Sequence, residues 1–135
     1  MGRARNAANK IKATKVVIVD DDVDLAEELR EMLVDAGYSV KTLSESMTAS
    51  GFIRDSGPDV ILLDIMMNGK NGFEVAAELA NDPETAGIPI VMMTGFYTGE
   101  HRGHLNNTPG VKDVLIKPFS CEDMIARIEA ARLGH

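Results

Sequence analysis

Four short apolar runs each stop at a residue that could handle a phosphoryl group. Val16-Val17-Ile18-Val19 runs into Asp20-Asp21-Asp22, and Val60-Ile61-Leu62-Leu63 runs into Asp64. Ile90-Val91-Met92-Met93 leads to Thr94-Gly95, and Val114-Leu115-Ile116 leads to Lys117-Pro118. Carboxylates are hard oxygen ligands that suit magnesium, which keeps several waters and takes few direct carboxylates. A carboxylate can also attack phosphorus and form an acyl phosphate. Charge that grows on the phosphoryl oxygens is then met by a divalent cation, an ammonium and a hydroxyl. Asp20, Asp21 and Asp64 are the expected metal-binding acids, Asp64 is the expected nucleophile, and Lys117 and Thr94 are expected to meet the phosphoryl oxygens. Gly95 has no side chain and leaves room for the group to enter.

These residues cooperate only if the chain gathers the four run ends. Short, fully apolar runs are strands buried on both faces. Between them lie helical patterns. Residues 23–36 place Leu25, Leu29, Met32, Leu33 and Ala36 on one face, with Gly37 as a stop. Residues 46–55 predict a helix weakened by Gly51, closed by Ser56-Gly57-Pro58. Residues 73–80 predict a third helix, residues 98–105 at most a short one, and Ser120 starts the last. Residues 39–43 predict a less apolar edge strand, 59–63 the third strand, a fourth opening at Pro89, and 111–116 the fifth. Strands alternating with helices imply an α/β fold, a doubly wound parallel sheet of flavodoxin-like order 2-1-3-4-5. In that order the first and third strands are neighbours. Asp20 and Asp21 then lie beside Asp64 in the crevice outside the strand ends. Three clustered carboxylates repel one another, and a divalent cation removes that cost.

Each residue also has a plain structural reading. The Asp triplet fits a solvated turn, with Asp22 or Asp24 capping the next helix. Asp64 fits a strand terminator, Thr94-Gly95 an ordinary turn, and Lys117-Pro118 a rigid turn with a cis bond. Their joint occurrence at four strand ends, in the order the fold requires, favours chemistry. His101 and His104 lack a third ligand for zinc. Met66-Met67 and Met92-Met93 read as core. Asn106-Asn107-Thr108 is a glycosylation pattern without meaning unless the chain is secreted.

At 135 residues the chain predicts one domain, residues 15–133, behind a basic arm, residues 1–14. The arm carries Arg3, Arg5, Lys10 and Lys12, reads as a solvated terminus, and lacks the apolar core of a signal peptide. No apolar run reaches the roughly 18 residues of a membrane span. A lone cysteine, Cys121, excludes an internal disulfide and fits a cytoplasmic location. A net charge of −7 argues against nucleic acid as a partner of the folded body.

The motifs Val-Val-Ile-Val-Asp-Asp-Asp, Val-Ile-Leu-Leu-Asp-Ile-Met-Met, Asn-Gly-Phe, Val-Met-Met-Thr-Gly and Leu-Ile-Lys-Pro-Phe together resemble the CheY-like receiver domain of two-component response regulators. The resemblance implies that Asp64 accepts a phosphoryl group from a phosphohistidine on a histidine kinase or phosphotransfer protein. It implies magnesium held directly by Asp21, Asp64 and the backbone carbonyl of Met66, and by Asp20 through water. It implies that Thr94 and Lys117 read the phosphoryl group and that Pro118 follows a cis bond. Phosphorylation would shift a two-state equilibrium at the fourth helix, fifth strand and fifth helix, and so signal to a downstream protein or to a second copy. Such a chain catalyses its own phosphorylation and dephosphorylation and is not a conventional enzyme. With no output domain after the fifth helix it is expected to stand alone; a receiver cut from a longer hybrid kinase or transcription factor fits the same length.

Three departures from the family pattern matter. Asn68 stands where most receivers carry proline, which predicts a looser loop. Val114 stands where an aromatic usually turns inward, leaving Phe96 or Tyr97 to substitute. Met66 and Phe96 occupy two variable positions linked to hydrolysis, and neither can hydrogen-bond an attacking water. Two rival readings stay open. Asp20-Asp21-Asp22-Val23 also fits the opening motif of haloacid dehalogenase phosphatases, with Asp20 as nucleophile and Asp22 as general acid. Alternatively, the chain keeps the receiver fold as a binding module without phosphotransfer.

Overall fold

A computed structural model describes residues 13–96 and 99–134. The basic arm, except Ala13 and Thr14, and Tyr97 lie outside the described residues. Five strands, β1 (Lys15–Val19), β2 (Ser39–Leu43), β3 (Val60–Asp64), β4 (Ile90–Thr94) and β5 (Val111–Ile116), alternate with helices. The helices are α1 (Val23–Asp35), α2 (Ala49–Ser56), α3 (Gly72–Ala80), α4 (Gly99–Asn106) and α5 (Cys121–Arg132). The sheet runs β2-β1-β3-β4-β5, and every pairing is parallel. This is the doubly wound order expected from the alternating pattern.

Alternate strand residues face opposite sides, so each central strand feeds two cores. Val16, Ile18, Val60, Leu62, Val91 and Met93 pack under α1 and α5 through Ala26, Leu29, Leu33, Met124, Ile128 and Ala131. Val17, Val19, Ile61, Leu63, Ile90 and Met92 pack under α2 and α3 through Ala49, Ile53, Val75, Ala76 and Leu79. Leu105 of α4 joins that second core with Val111 and Val114. β3 and β4 are buried along their whole length, which explains why they read as unbroken apolar runs. The edge strand β2 alternates exposed and half-buried residues.

Helix ends follow local chemistry. Asp22 caps α1, its side chain accepting from the Leu25 amide at 3.1 Å, and Ser120 caps α5 at the Asp123 amide. Asn71 and Glu74 form a reciprocal capping box at α3, a device that hydrophobic periodicity does not reveal. The expected helix over 46–55 divides into a 3-10 turn, Ser46–Thr48, and then α2. The buried Ser46 hydroxyl in that turn is bonded to a neighbouring loop, donating to the Asn68 carbonyl and accepting from the Lys70 amide. β3 also runs one residue further than expected. Asp64 is the last rung of the ladder, opposite Met93. Among the described residues no helix is long and apolar enough to cross a membrane.

Candidate functional site

β1 and β3 lie side by side with Val19 opposite Leu63, so the acids that end them converge. Asp20, Asp21 and Asp64 each offer a carboxylate oxygen within 4.8 Å of the others. Among the described residues this is the one set of three or more such side chains that could hold a metal. Asp20 and Asp64 are buried, at 0% and 4% exposure, whereas Asp21 is half-buried. Oxygen ligands at that spacing, partly open to solvent, fit a hard cation such as magnesium.

Lys117 arrives from the end of β5. Its Nζ donates to Asp20 Oδ2 at 2.8 Å and lies 3.4 Å from Asp64 Oδ1. A main-chain bond of 2.7 Å from the Lys117 amide to the Thr94 carbonyl brings it across the end of β4, and the Lys117–Pro118 peptide is cis. Burial, and next the charge of Asp20, push the Asp64 carboxyl up to about 6, with Lys117 opposing them. Burial is the largest influence on Lys117 and works against its charge. The bonds and charges of Asp20 and Asp64 outweigh burial and hold the ammonium above its ordinary value. The site is thus short of positive charge: among three clustered acids, one ammonium pairs with Asp20 and Asp64.

Thr94 ends β4 beside this group and is fully buried. Its hydroxyl donates to the Phe96 carbonyl at 3.0 Å and accepts from the Phe96 amide at 3.1 Å. It is therefore engaged with the next turn of the chain. A Cβ at Gly95 would meet open space, so the room there does not depend on glycine. Met66 and Phe96 are exposed on the rim, at 63% and 73%; the core reading holds for Met92 and Met93 and for the partly buried Met67 but not for Met66, which follows the end of β3 and points out of the core. Val114 packs in the second core beside Leu105 and Val111, and its carbonyl accepts from Arg127. His101 and His104 flank the Phe73 ring, with centroids 6.1 and 4.9 Å away, and belong to packing.

Two further expectations change. The loop after β3 is braced even though Asn68 replaces proline. The Asn68 amide donates to Asp21 Oδ2 at 3.0 Å, and its carbonyl accepts from Ser46 Oγ at 2.7 Å. A proline could not supply the first bond. The phosphatase roles do not fit either. Asp20 already accepts from Lys117 on one oxygen and from the Asp22 amide on the other. Asp22 is a helix cap. Ser46 was invisible in the sequence, because it lies 22 residues from its partner Asn68 and no local pattern joins them. Gly72 was missed for a related reason: a Cβ there would sit 2.6 Å from the Asp64 carbonyl oxygen.

The family model of the response regulator receiver domain matches residues 16–129. The DNA-binding response regulator MtrA of Mycobacterium tuberculosis is 34% identical over 116 residues, 86% of this chain and 49% of that protein. The phosphate regulon transcriptional regulatory protein PhoB of Pseudomonas aeruginosa is 36% identical over 116 residues, 85% of this chain and 50% of that protein. The chain thus spans about half the length of these curated relatives. A crystal structure of a putative response regulator from Chloroflexus aurantiacus superposes with a TM-score of 0.83 at 28% identity, covering 90% of this chain and 99% of that one. The Vibrio cholerae chemotaxis protein CheY4 gives 0.83 at 27%, covering 89% and 99%. With its sheet order, its acid cluster and this match over most of its length, the chain belongs to the response regulator receiver domains of two-component signalling.

Proposed function

We propose that Asp64 accepts a phosphoryl group from a phosphohistidine on a sensor histidine kinase or phosphotransfer protein. The observation that carries this reading is the placement of Asp64 at the end of β3, 3.4 Å from Lys117 and within the acid cluster. An Asp64 oxygen attacks phosphorus as the phosphorus–nitrogen bond breaks. The imidazole keeps the electron pair and takes a proton from solvent, and Asp64 becomes an acyl phosphate. Asp21, Asp64 and the Met66 carbonyl would hold magnesium directly, and Asp20 through water. The bound ion supplies positive charge for the phosphoryl oxygens. Lys117 turns from the Asp64 oxygen to a phosphoryl oxygen. Pro118 fixes the chain just beyond it.

Thr94 would exchange its bonds to Phe96 for one to the phosphoryl group. That exchange alters the turn after β4 and shifts the surface made by α4, β5 and α5. With Val114 in place of an aromatic, the response runs through this backbone and not through a ring turning inward. Dephosphorylation is a separate hydrolysis: water attacks phosphorus, the bond from phosphorus to the Asp64 oxygen breaks, Asp64 leaves as carboxylate and inorganic phosphate is released with the proton from water.

A protein donor is favoured by the rim of the site. Val23, Met47, Met66, Phe96 and Ile116 are exposed apolar residues, and each ends or follows a different strand. The downstream partner is a protein, or a second copy joined on phosphorylation. By likeness to MtrA and PhoB, the output is control of transcription, with DNA contacted by other segments or partners. A phosphohistidine partner places this chain in the cytoplasm.

Incubation with acetyl phosphate and magnesium tests the reading. A phosphorylated species should form, require magnesium, and be released by hydroxylamine as an acyl phosphate is. Absence of any such species would leave a receiver-like binding module.

A further inference from the structure

The loop from Ile65 to Asn71 is clamped from two sides. On one side the Asn68 amide donates to Asp21 Oδ2 at 3.0 Å. On the other, the Asn68 carbonyl accepts from Ser46 Oγ at 2.7 Å, and the same hydroxyl oxygen accepts from the Lys70 amide at 2.9 Å. Ser46 is 3% exposed, so its hydroxyl has few alternatives to these bonds. Gly69, between the two bonded residues, has a φ of 83°, and a Cβ there would lie 2.8 Å from Ser46 Oγ. The loop is therefore drawn tightly onto Ser46.

We propose that the Asn68 backbone, held by Ser46, is a positioning device for the cation site, fixing Asp21 by one oxygen so that the other faces Asp20 and Asp64. This rests on reading those three acids as a magnesium site. A half-buried carboxylate with free torsions must be ordered when the ion binds, and a prior hydrogen bond removes part of that cost. The coupling is reciprocal, so an ion on Asp21 also tightens the Asn68 amide bond. Residue 68 acts through its main chain. Asparagine matters there because it is not proline.

Magnesium dissociation constants of the full chain, measured by calorimetry, separate the contributions. Asn68→Pro removes the amide hydrogen and should weaken magnesium binding by about tenfold or more, the usual cost of losing a partner that orients a metal ligand. Asn68→Ala keeps the amide and should bind close to wild type. Ser46→Ala should weaken binding in the same direction but less. Amide hydrogen exchange in metal-free protein reads the bond without a proline: the Asn68 amide should be protected, and Asp21→Ala should speed its exchange. Equal magnesium affinity in wild type and Asn68→Pro overturns the inference, as does an alanine variant as weak as the proline one. Asn68 exchange indifferent to Asp21→Ala also overturns it. If wild type itself binds no magnesium, the metal reading fails and takes this inference with it.

Discussion

Asp64 is an acid held where its charge is disfavoured. Burial and the neighbouring Asp20 raise its carboxyl to about 6 in the metal-free protein, against roughly 4 for a free side chain. A folded-state value above the unfolded one favours folding while the group is protonated, and that contribution is lost as pH rises through about 6. At neutral pH the metal-free fold therefore carries an ionised Asp64 at a cost. Asp64→Asn should unfold at higher denaturant than wild type in chelator at pH 7.5, by roughly 1–3 kcal/mol, with the gap shrinking near pH 4. Denaturation of both proteins at the two pH values measures it, and an unchanged gap would remove Asp64 as its source. Met66 makes the second case. It is 63% exposed, two residues after Asp64, and offers no donor or strong acceptor to water. Met66→Asn should speed loss of phosphate from the phosphorylated chain by several-fold, read as the decay rate; an unaltered rate would mean that a hydrogen-bonding side chain at this position does not assist the attacking water. The three acids and Lys117 were readable as sequence because they stand at the ends of apolar strands. The partner of Asp21 was not, since any residue except proline supplies the same amide.

At the scale of elements, Asp64 is positioned by the loop and helix after β3. α3 starts at Gly72, whose amide donates to the Ile65 carbonyl at 2.8 Å. A Cβ on Gly72 would lie 2.6 Å from the Asp64 carbonyl oxygen and 2.9 Å from Ile65 Cα. Both are backbone atoms, so the strain cannot be relieved by a side chain. Gly72→Ala should cost about 2–4 kcal/mol of stability and should also reduce phosphorylation by displacing Asp64. Unfolding curves and acetyl phosphate labelling check the two effects, and a fully stable, fully active variant would contradict the packing described. Five strands and four of the helices were legible from periodicity, the fourth helix only as a short possibility, with boundaries off by a residue at β1, β3, β4, α1, α3 and α4. The division of residues 46–56 into a 3-10 turn and α2 was not. It depends on Ser46 meeting Asn68 and Lys70, a contact between distant parts of the chain. The capping box of Asn71 and Glu74 was local and could have been read from its spacing.

For the whole molecule, the sheet order gathers the candidate site and the apolar rim at one end of the strands. Strands that end at one side bring their acids, Lys117 and Thr94 together, and the same ends carry the exposed Val23, Met47, Met66, Phe96 and Ile116. On the proposed reading a small donor would meet only the acids, Lys117 and Thr94, while a protein donor would also cover the apolar rim. Phe96→Ser should therefore slow transfer from a phosphohistidine protein more than it slows labelling by acetyl phosphate. Equal slowing by both donors would place Phe96 in the chemistry instead. The topology was legible because alternating strands and helices leave few right-handed arrangements. The rim was not, because isolated apolar residues gain meaning only once their shared location is known. Intact-mass measurement after acetyl phosphate and magnesium, on wild type and Asp64→Asn, bears most directly on the whole account. One phosphoryl adduct on wild type and none on the variant is the predicted result; an adduct that survives in Asp64→Asn, or none on either protein, would contradict it.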